Sequence, residues 1–222
     1  MFKNAYEGIK KIFTAEIIML IASIVALVGA IATITADPNA VKDALNNASG
    51  TSLPTSVVIL GIVALAFGIC ALVAFILNLV GLVQAKKDEA NFNTALLLTI
   101  AGIVVSILSG IFSKNESVTS FLNTAVELAY LLATMFIVYG IISLAKQLKN
   151  TPVETKGNRL LKLIVIVYGV GIAAKLLSSI FTAAKLDPII IGIVGIISAL
   201  LTVVSHLIYI SLLSDAKKML AK

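Results

Sequence analysis

The sequence predicts an all-α, polytopic membrane protein with six transmembrane helices in three hairpins and with the N-terminus and the C-terminus both cytoplasmic. Three observations predict this fold class. Hydrophobic residues make up 59% of the 222-residue chain and charged residues only 13%, whereas soluble domains hold roughly 45–50% and about 25%. Six apolar stretches are each long enough to cross about 30 Å of hydrocarbon. Basic residues gather at alternate ends of these stretches.

The six predicted spans follow one another with short connections and form a single domain, residues 1–222. They are residues 17–35, 56–84, 94–112, 118–145, 160–181 and 189–213. Each approaches or exceeds the ~20 residues that a transmembrane helix needs. The first is too long for the core of a signal peptide and lacks a small-x-small cleavage site, so we expect it to be retained.

The basic residues predict the orientation, because excess Lys and Arg remains on the cytoplasmic side. With the N-terminus inside, the outer loops hold Lys42, Lys114 and Lys185, and Lys175 lies within a span. The inner segments hold the other thirteen: Lys3, Lys10, Lys11, Lys86, Lys87, Lys146, Lys149, Lys156, Arg159, Lys162, Lys217, Lys218 and Lys222. We therefore expect both termini in the cytoplasm. Short loops and a compact fold favour a plasma membrane of the bacterial type.

Three segments outside the spans carry predictions of their own. Residues 1–15 are predicted to form an interfacial amphipathic helix on the inner leaflet, because apolar residues recur there at helical spacing. These residues are Phe2, Tyr6, Ile9 and Phe13. Residues 36–55 are predicted to be an outer loop with a short helix, since Asp37-Pro38 is typical of a helix start. Residues 147–159 are predicted to be an inner loop.

The inner ends of the second, fourth and sixth spans share an Ala-Lys pair, at 85–86, 145–146 and 216–217. A threefold repeat of helical hairpins is one explanation. The other is that many helices leaving the inner face end in this way. The sequence favours the second explanation, because little of the shared pattern extends into the spans.

Polar residues inside the spans are candidates for a ligand site, because a charge at mid-bilayer costs at least ~2.5–3.5 kcal/mol. Glu127 and Lys175 have opposite charges and similar predicted depths, on the order of 12 Å below the outer boundary. Neighbouring polar residues share faces of the third and fourth spans: Ser106, Ser109, Asn123, Tyr130 and Thr134. One hypothesis is that these residues surround an outward-facing polar cavity for a small ligand. The alternative is a structural salt bridge in a seam of small residues.

The sequence carries no known catalytic or metal-binding signature. It has no phosphate loop, no HExxH or C-x-x-C pair and no G-x-S-x-G elbow. We expect no enzymatic activity, no catalytic residues, no metal and no cofactor. Cys70, the single cysteine, excludes an intrachain disulfide, and His206 is expected to be a packed, hydrogen-bonded side chain. The net charge of +6 comes from scattered lysines without an aromatic or arginine cluster, which argues against nucleic acid as a partner.

Three functions remain open, and in all of them the lipid bilayer surrounds the chain. The favoured one is a membrane scaffold or accessory subunit, which associates with itself or with a membrane protein through a face of small residues. That face is formed by Ala22, Ala26 and Ala30. The second is a small-solute binding and uptake component that uses the polar cavity for transport. The third is an oligomeric channel with a pore of single polar residues.

The predicted topology supports the uptake function through its similarity to a known family of transporter subunits. Six spans, cytoplasmic termini, a long first outer loop and an alanine ridge on the first helix are similar to the substrate-capturing S-components of energy-coupling factor transporters. The sequence holds no ligand motif of that group. The resemblance implies a small-solute function at the level of the fold.

Overall fold

The computed structural model describes the backbone of residues 2–35, 55–183 and 188–221. It describes side chains for residues 2–21, 61–62, 65–115, 118–169 and 203–221. Six helices occupy these ranges: α1 (Lys3–Thr35), α2 (Thr55–Ala85), α3 (Asn91–Ile111), α4 (Glu116–Gln147), α5 (Thr151–Ala183) and α6 (Pro188–Leu220). The prediction of an all-helical fold is confirmed. The outer loop predicted over 36–55 lies almost wholly outside the described residues.

Three helical segments in the described part of the chain are long and apolar enough to cross a membrane. They are Leu65–Ala85 in α2, Asn91–Ile111 in α3 and Val118–Gln147 in α4. Their lengths of 21, 21 and 30 residues match the ~20 residues that span a bilayer core. These segments are compatible with a membrane protein. Six spans and the orientation of the termini stay predictions.

The chain divides into two compact units. One contains residues up to Lys10 together with Gly81–Lys222, and the other is Lys11–Val80. In the first unit, α3 packs against α4, α4 against α5 and α5 against α6. The two later predicted hairpins, α3 with α4 and α5 with α6, are therefore pairs of neighbouring helices.

The buried core of the first unit includes the helix ends that carry the Ala-Lys pairs. In α2, α4 and α6 alike, the alanine of the pair is buried, as are the residues three and four positions before it. The nine residues are Gly81, Leu82 and Ala85; Ile141, Ile142 and Ala145; and Leu212, Leu213 and Ala216. Positions spaced in this way share one face of a helix. The common burial pattern extends the similarity between these three helix ends beyond the Ala-Lys pair itself.

The start of α1 packs against this core at a glycine. A Cβ at Gly8 would overlap the carbonyl oxygen of Gly81 and the Cβ of Ala85, so only glycine lets α1 approach the end of α2 so closely. Ile9, the next residue of α1, is fully buried. The helix runs without interruption from the predicted interfacial segment into the predicted first span.

The connection between α4 and α5 is shorter than the inner loop predicted over 147–159. Only three residues separate the helices, because α5 begins at Thr151 and places Pro152 in its first turn, where proline is tolerated. Lys149 adopts a left-handed conformation with φ 53°. The N–H groups of Asn150 and Lys149 donate to the carbonyls of Ala145 and Lys146, at 2.8 and 3.0 Å. This is the Schellman arrangement that ends many helices.

Candidate functional site

Two of the predicted site residues join α3 to α4. The Ser109 hydroxyl donates a hydrogen bond to the side-chain carbonyl oxygen of Asn123 over 2.7 Å. Ser109 is buried and Asn123 is exposed, so the bond lies at the edge of the helix contact. Polar contacts of this kind between membrane helices are worth on average ~0.6 kcal/mol. The pair therefore connects α3 to α4.

A third site residue, Tyr130, belongs to the same helix contact. An ideal Cβ placed on Gly102 would lie 3.3 Å from Cζ of Tyr130, so the tyrosine ring covers the glycine of α3. The Thr134 hydroxyl donates to the carbonyl oxygen of Tyr130 over 3.0 Å. A hydroxyl that bonds back along its own helix is satisfied without any partner on another element.

The structure does not bring the remaining residues of the predicted cavity together. Ser106 and Glu127 are exposed on the surfaces of α3 and α4. The backbone of Lys175 lies in α5, but its side chain is outside the described residues. The ion pair between Glu127 and Lys175 therefore stays a prediction.

A second polar cluster lies in the turn between α2 and α3. One carboxylate oxygen of Asp88 accepts a hydrogen bond from the backbone N–H of Ala5 at 2.8 Å. The other accepts from the side-chain amide of Asn4 at 2.9 Å. The first N–H groups of a helix have no intrahelical acceptor, and a negative charge there also favours the helix dipole. Asp88 thus caps α1 from a distant part of the chain.

The adjacent carboxylate, Glu89, connects the same turn to α4. Its Oε2 accepts hydrogen bonds from the Ser143 hydroxyl at 2.7 Å and from the Gln147 amide at 3.3 Å. Its Oε1 accepts from the Asn91 amide at 2.8 Å. Two neighbouring acidic residues therefore hold the start of α1 and the end of α4 against one turn.

A third cluster joins α5 to α6. The Lys156 ammonium lies 2.5 Å from a carboxylate oxygen of Asp215 and 2.6 Å from the hydroxyl of Ser211. Charge-assisted hydrogen bonds are about twice as strong as neutral ones. Because both charged side chains are partly exposed, solvent screening reduces the contribution of this pair to stability.

Comparison with known proteins identifies no relative. No family model matches this chain, and no curated protein and no solved structure is similar to it.

The three clusters have one chemical property in common: their charged and polar atoms bind one another across helix boundaries. Among the described residues, no group of three His, Cys, Asp or Glu side chains is placed to hold a metal ion. These contacts fix helix ends relative to each other within the first unit.

The site predicted from the sequence consists of polar residues inside the spans and does not include Asp88 and Glu89. A signal was present, because both are acidic residues in a connection that the positive-inside rule expects to be basic. Glu16, a partly buried acidic residue on α1 immediately before the predicted first span, is likewise not part of the predicted site. Acidic residues next to a span are uncommon enough to be noted as candidates for structural contacts.

Proposed function

We propose that this chain is a six-span plasma-membrane protein of the bacterial type, with both termini in the cytoplasm, that works as a scaffold or accessory subunit without catalytic activity. Three apolar helices and the distribution of lysines support the membrane topology. The assignment as a subunit depends on an exposed surface of α2 that contains two glycines.

Some of the described glycines are closely packed, and four are open: Gly61, Gly68, Gly110 and Gly169. At Gly8, Gly140 and Gly157 a side chain would collide with a neighbouring helix, so close packing explains these glycines. Gly61 and Gly68 are exposed on α2, and no described residue comes within 4 Å of a Cβ at either one. A glycine inside a helix costs about 0.8–1 kcal/mol relative to alanine. Contacts within the described part of the chain do not account for this cost.

The surroundings of these two glycines favour another helix as their neighbour. Leu65 and Leu72 are 70% and 59% exposed, and the order Gly61, Leu65, Gly68, Leu72 has spacings of four, three and four. This spacing keeps the four residues on one seam of a left-handed helix pair. Small residues let membrane helices approach closely. A partner helix, from another membrane protein or from a second copy, would fit over Gly61 and Gly68.

The alanine face of α1 is a second candidate for the same role, but the side chains of Ala22, Ala26 and Ala30 are outside the described residues.

Solute uptake and a channel are less well supported than the scaffold function. Two of the predicted cavity residues, Ser109 and Asn123, bond to each other, and the Thr134 hydroxyl is satisfied within α4.

Extraction of the tagged protein from its native membrane into polymer-bounded discs tests the proposal. The composition of the discs is measured by quantitative mass spectrometry for the wild type, for Gly68→Leu and for Gly110→Leu. Gly110 is a matched control, because it is exposed on α3 and equally open. Both substitutions raise helix propensity, so neither is expected to impair folding.

The proposal predicts a partner, or a second copy, in fixed stoichiometry with the wild type and with Gly110→Leu, and its loss from Gly68→Leu. Equal recovery with both variants would exclude the α2 seam as the contact. A bound small solute in discs that contain a single copy of the chain would favour uptake instead.

A further inference from the structure

A groove of about 450 Å³ lies between the start of α5 and the end of α6. Small-molecule sites occupy roughly 300–1,000 Å³, so the groove is large enough for a headgroup-sized ligand. Its lining consists of Asn150, Pro152, Val153, Lys156, Asp215, Lys218 and Met219.

The charges in this lining do not balance. Two lysines and one aspartate contribute a net charge of +1. Lys156 and Asp215 neutralise each other over 2.5 Å. Lys218 is exposed, and no hydrogen bond or ion pair connects it to another described residue. The groove therefore presents one ammonium group that is available to an anion.

The rest of the lining combines a packed apolar surface with a hydrogen-bond donor. Val153 and Met219 are 5% and 7% exposed, and Pro152 adds a third apolar side chain. The Asn150 side-chain oxygen accepts the backbone N–H of Val153 at 3.2 Å, which leaves the amide NH₂ of Asn150 as a donor. An amphiphilic anion with one negative charge fits such a lining.

We propose that this groove binds the phosphodiester headgroup of an anionic phospholipid, with Lys218 in contact with the phosphate. The proposal rests on the six-span topology proposed above, which places this end of α5 and α6 at the inner leaflet. Basic pockets between membrane helices on that side bind anionic headgroups. A phosphodiester with an uncharged alcohol carries one negative charge, which matches the net charge of the groove. The apolar side chains would contact the glycerol backbone and the first part of the acyl chains.

Lipid binding to the full-length protein in detergent, followed by native mass spectrometry, tests this proposal. Phosphatidylglycerol and phosphatidylcholine are titrated against the wild type, Lys218→Gln and Lys87→Gln. Lys87 is a matched control, because it is exposed and lies two residues after Ala85, as Lys218 lies two residues after Ala216. Lys87 does not line the groove.

We expect phosphatidylglycerol to bind the wild type and Lys87→Gln equally and to bind Lys218→Gln about fivefold more weakly. Phosphatidylcholine should bind all three proteins weakly. An unchanged affinity in Lys218→Gln, or the same loss in both variants, would overturn the proposal, since the second result indicates diffuse surface attraction.

A soluble competitor distinguishes the source of the phosphate. If glycerol 3-phosphate occupies the groove as tightly as the lipid does, the lipid assignment is wrong. Lys218→Gln is expected to leave partner recovery in membrane discs unchanged, whereas Gly68→Leu is expected to abolish it. Failure of the lipid proposal can therefore be told apart from failure of the scaffold proposal.

Discussion

The Asp88 carboxylate caps α1 by accepting the backbone N–H of Ala5 at 2.8 Å, although the two residues are 83 positions apart in the chain. A cap supplied by a distant residue gives the helix start a fixed place in the fold. The same carboxylate also binds the side-chain amide of Asn4, so it holds two residues of the first turn of α1.

Replacement of Asp88 by alanine is expected to lower the free energy of unfolding by about 1–2 kcal/mol, because an N-terminal cap and a favourable dipole contact are both lost. Thermal unfolding in detergent measures this change. Asp88→Asn retains one acceptor and should lose less. A change below a few tenths of a kcal/mol in Asp88→Ala would show that the cap does not hold α1.

Lys149 is expected to be replaceable by glycine with a gain in stability. Its φ of 53° is a left-handed conformation that costs an L-residue roughly 1 kcal/mol and that glycine adopts freely. Unfolding of Lys149→Gly should therefore require about 0.5–1 kcal/mol more than that of the wild type. Leu148→Gly, one residue earlier, is the control and should be destabilising. A loss of stability in Lys149→Gly would contradict the Schellman ending of α4.

Gly140 is expected to reject even a methyl group. A Cβ there would lie 2.8 Å from the ring of the fully buried Phe92, and overpacking of this kind costs about 1–3 kcal/mol. Gly110→Ala, at an open position on α3, is the control and should be neutral or stabilising. Equal unfolding midpoints for Gly140→Ala and Gly110→Ala would argue against the close contact between α3 and α4.

Ser109 and Asn123 are expected to be energetically coupled. A double-mutant cycle with Ser109→Ala and Asn123→Ala should give a coupling energy of ~0.6 kcal/mol, and no more than ~1.7, as for other hydrogen bonds between membrane helices. Unfolding in a titration with a denaturing detergent provides the four free energies. Strict additivity of the two substitutions would show that the 2.7 Å bond makes no contribution.

The helices of this protein could be predicted from the sequence, because apolar length alone identifies a segment that can cross a bilayer. The contacts at their ends could not. Asp88 and Ala5 meet only after folding, and a hydropathy pattern holds no information about which carboxylate reaches which helix. The inner loop predicted over 147–159 was too long. Its polar residues are typical of a loop, but Asn150 caps α5 and the helix begins within this segment.

The candidate site was predictable to a similar degree. Helical spacing placed Ser109 and Asn123 on polar faces of successive spans, and the structure joins them. Spacing did not show that the Thr134 hydroxyl bonds within its own helix, because a polar face and a self-satisfied hydroxyl have the same sequence pattern.

The proposed six-span topology places the helix ends around Asp88, Lys149 and Lys218 in the cytoplasm. Single-cysteine labelling of intact cells, in a Cys70→Ser background, tests it most directly with an impermeant maleimide. Cysteines at Lys114 and Lys185 should react from outside, whereas cysteines at Lys87, Lys149 and Lys218 should react only after the membrane is permeabilised. Reaction of Lys114→Cys and Lys149→Cys from the same side would contradict the six-span topology.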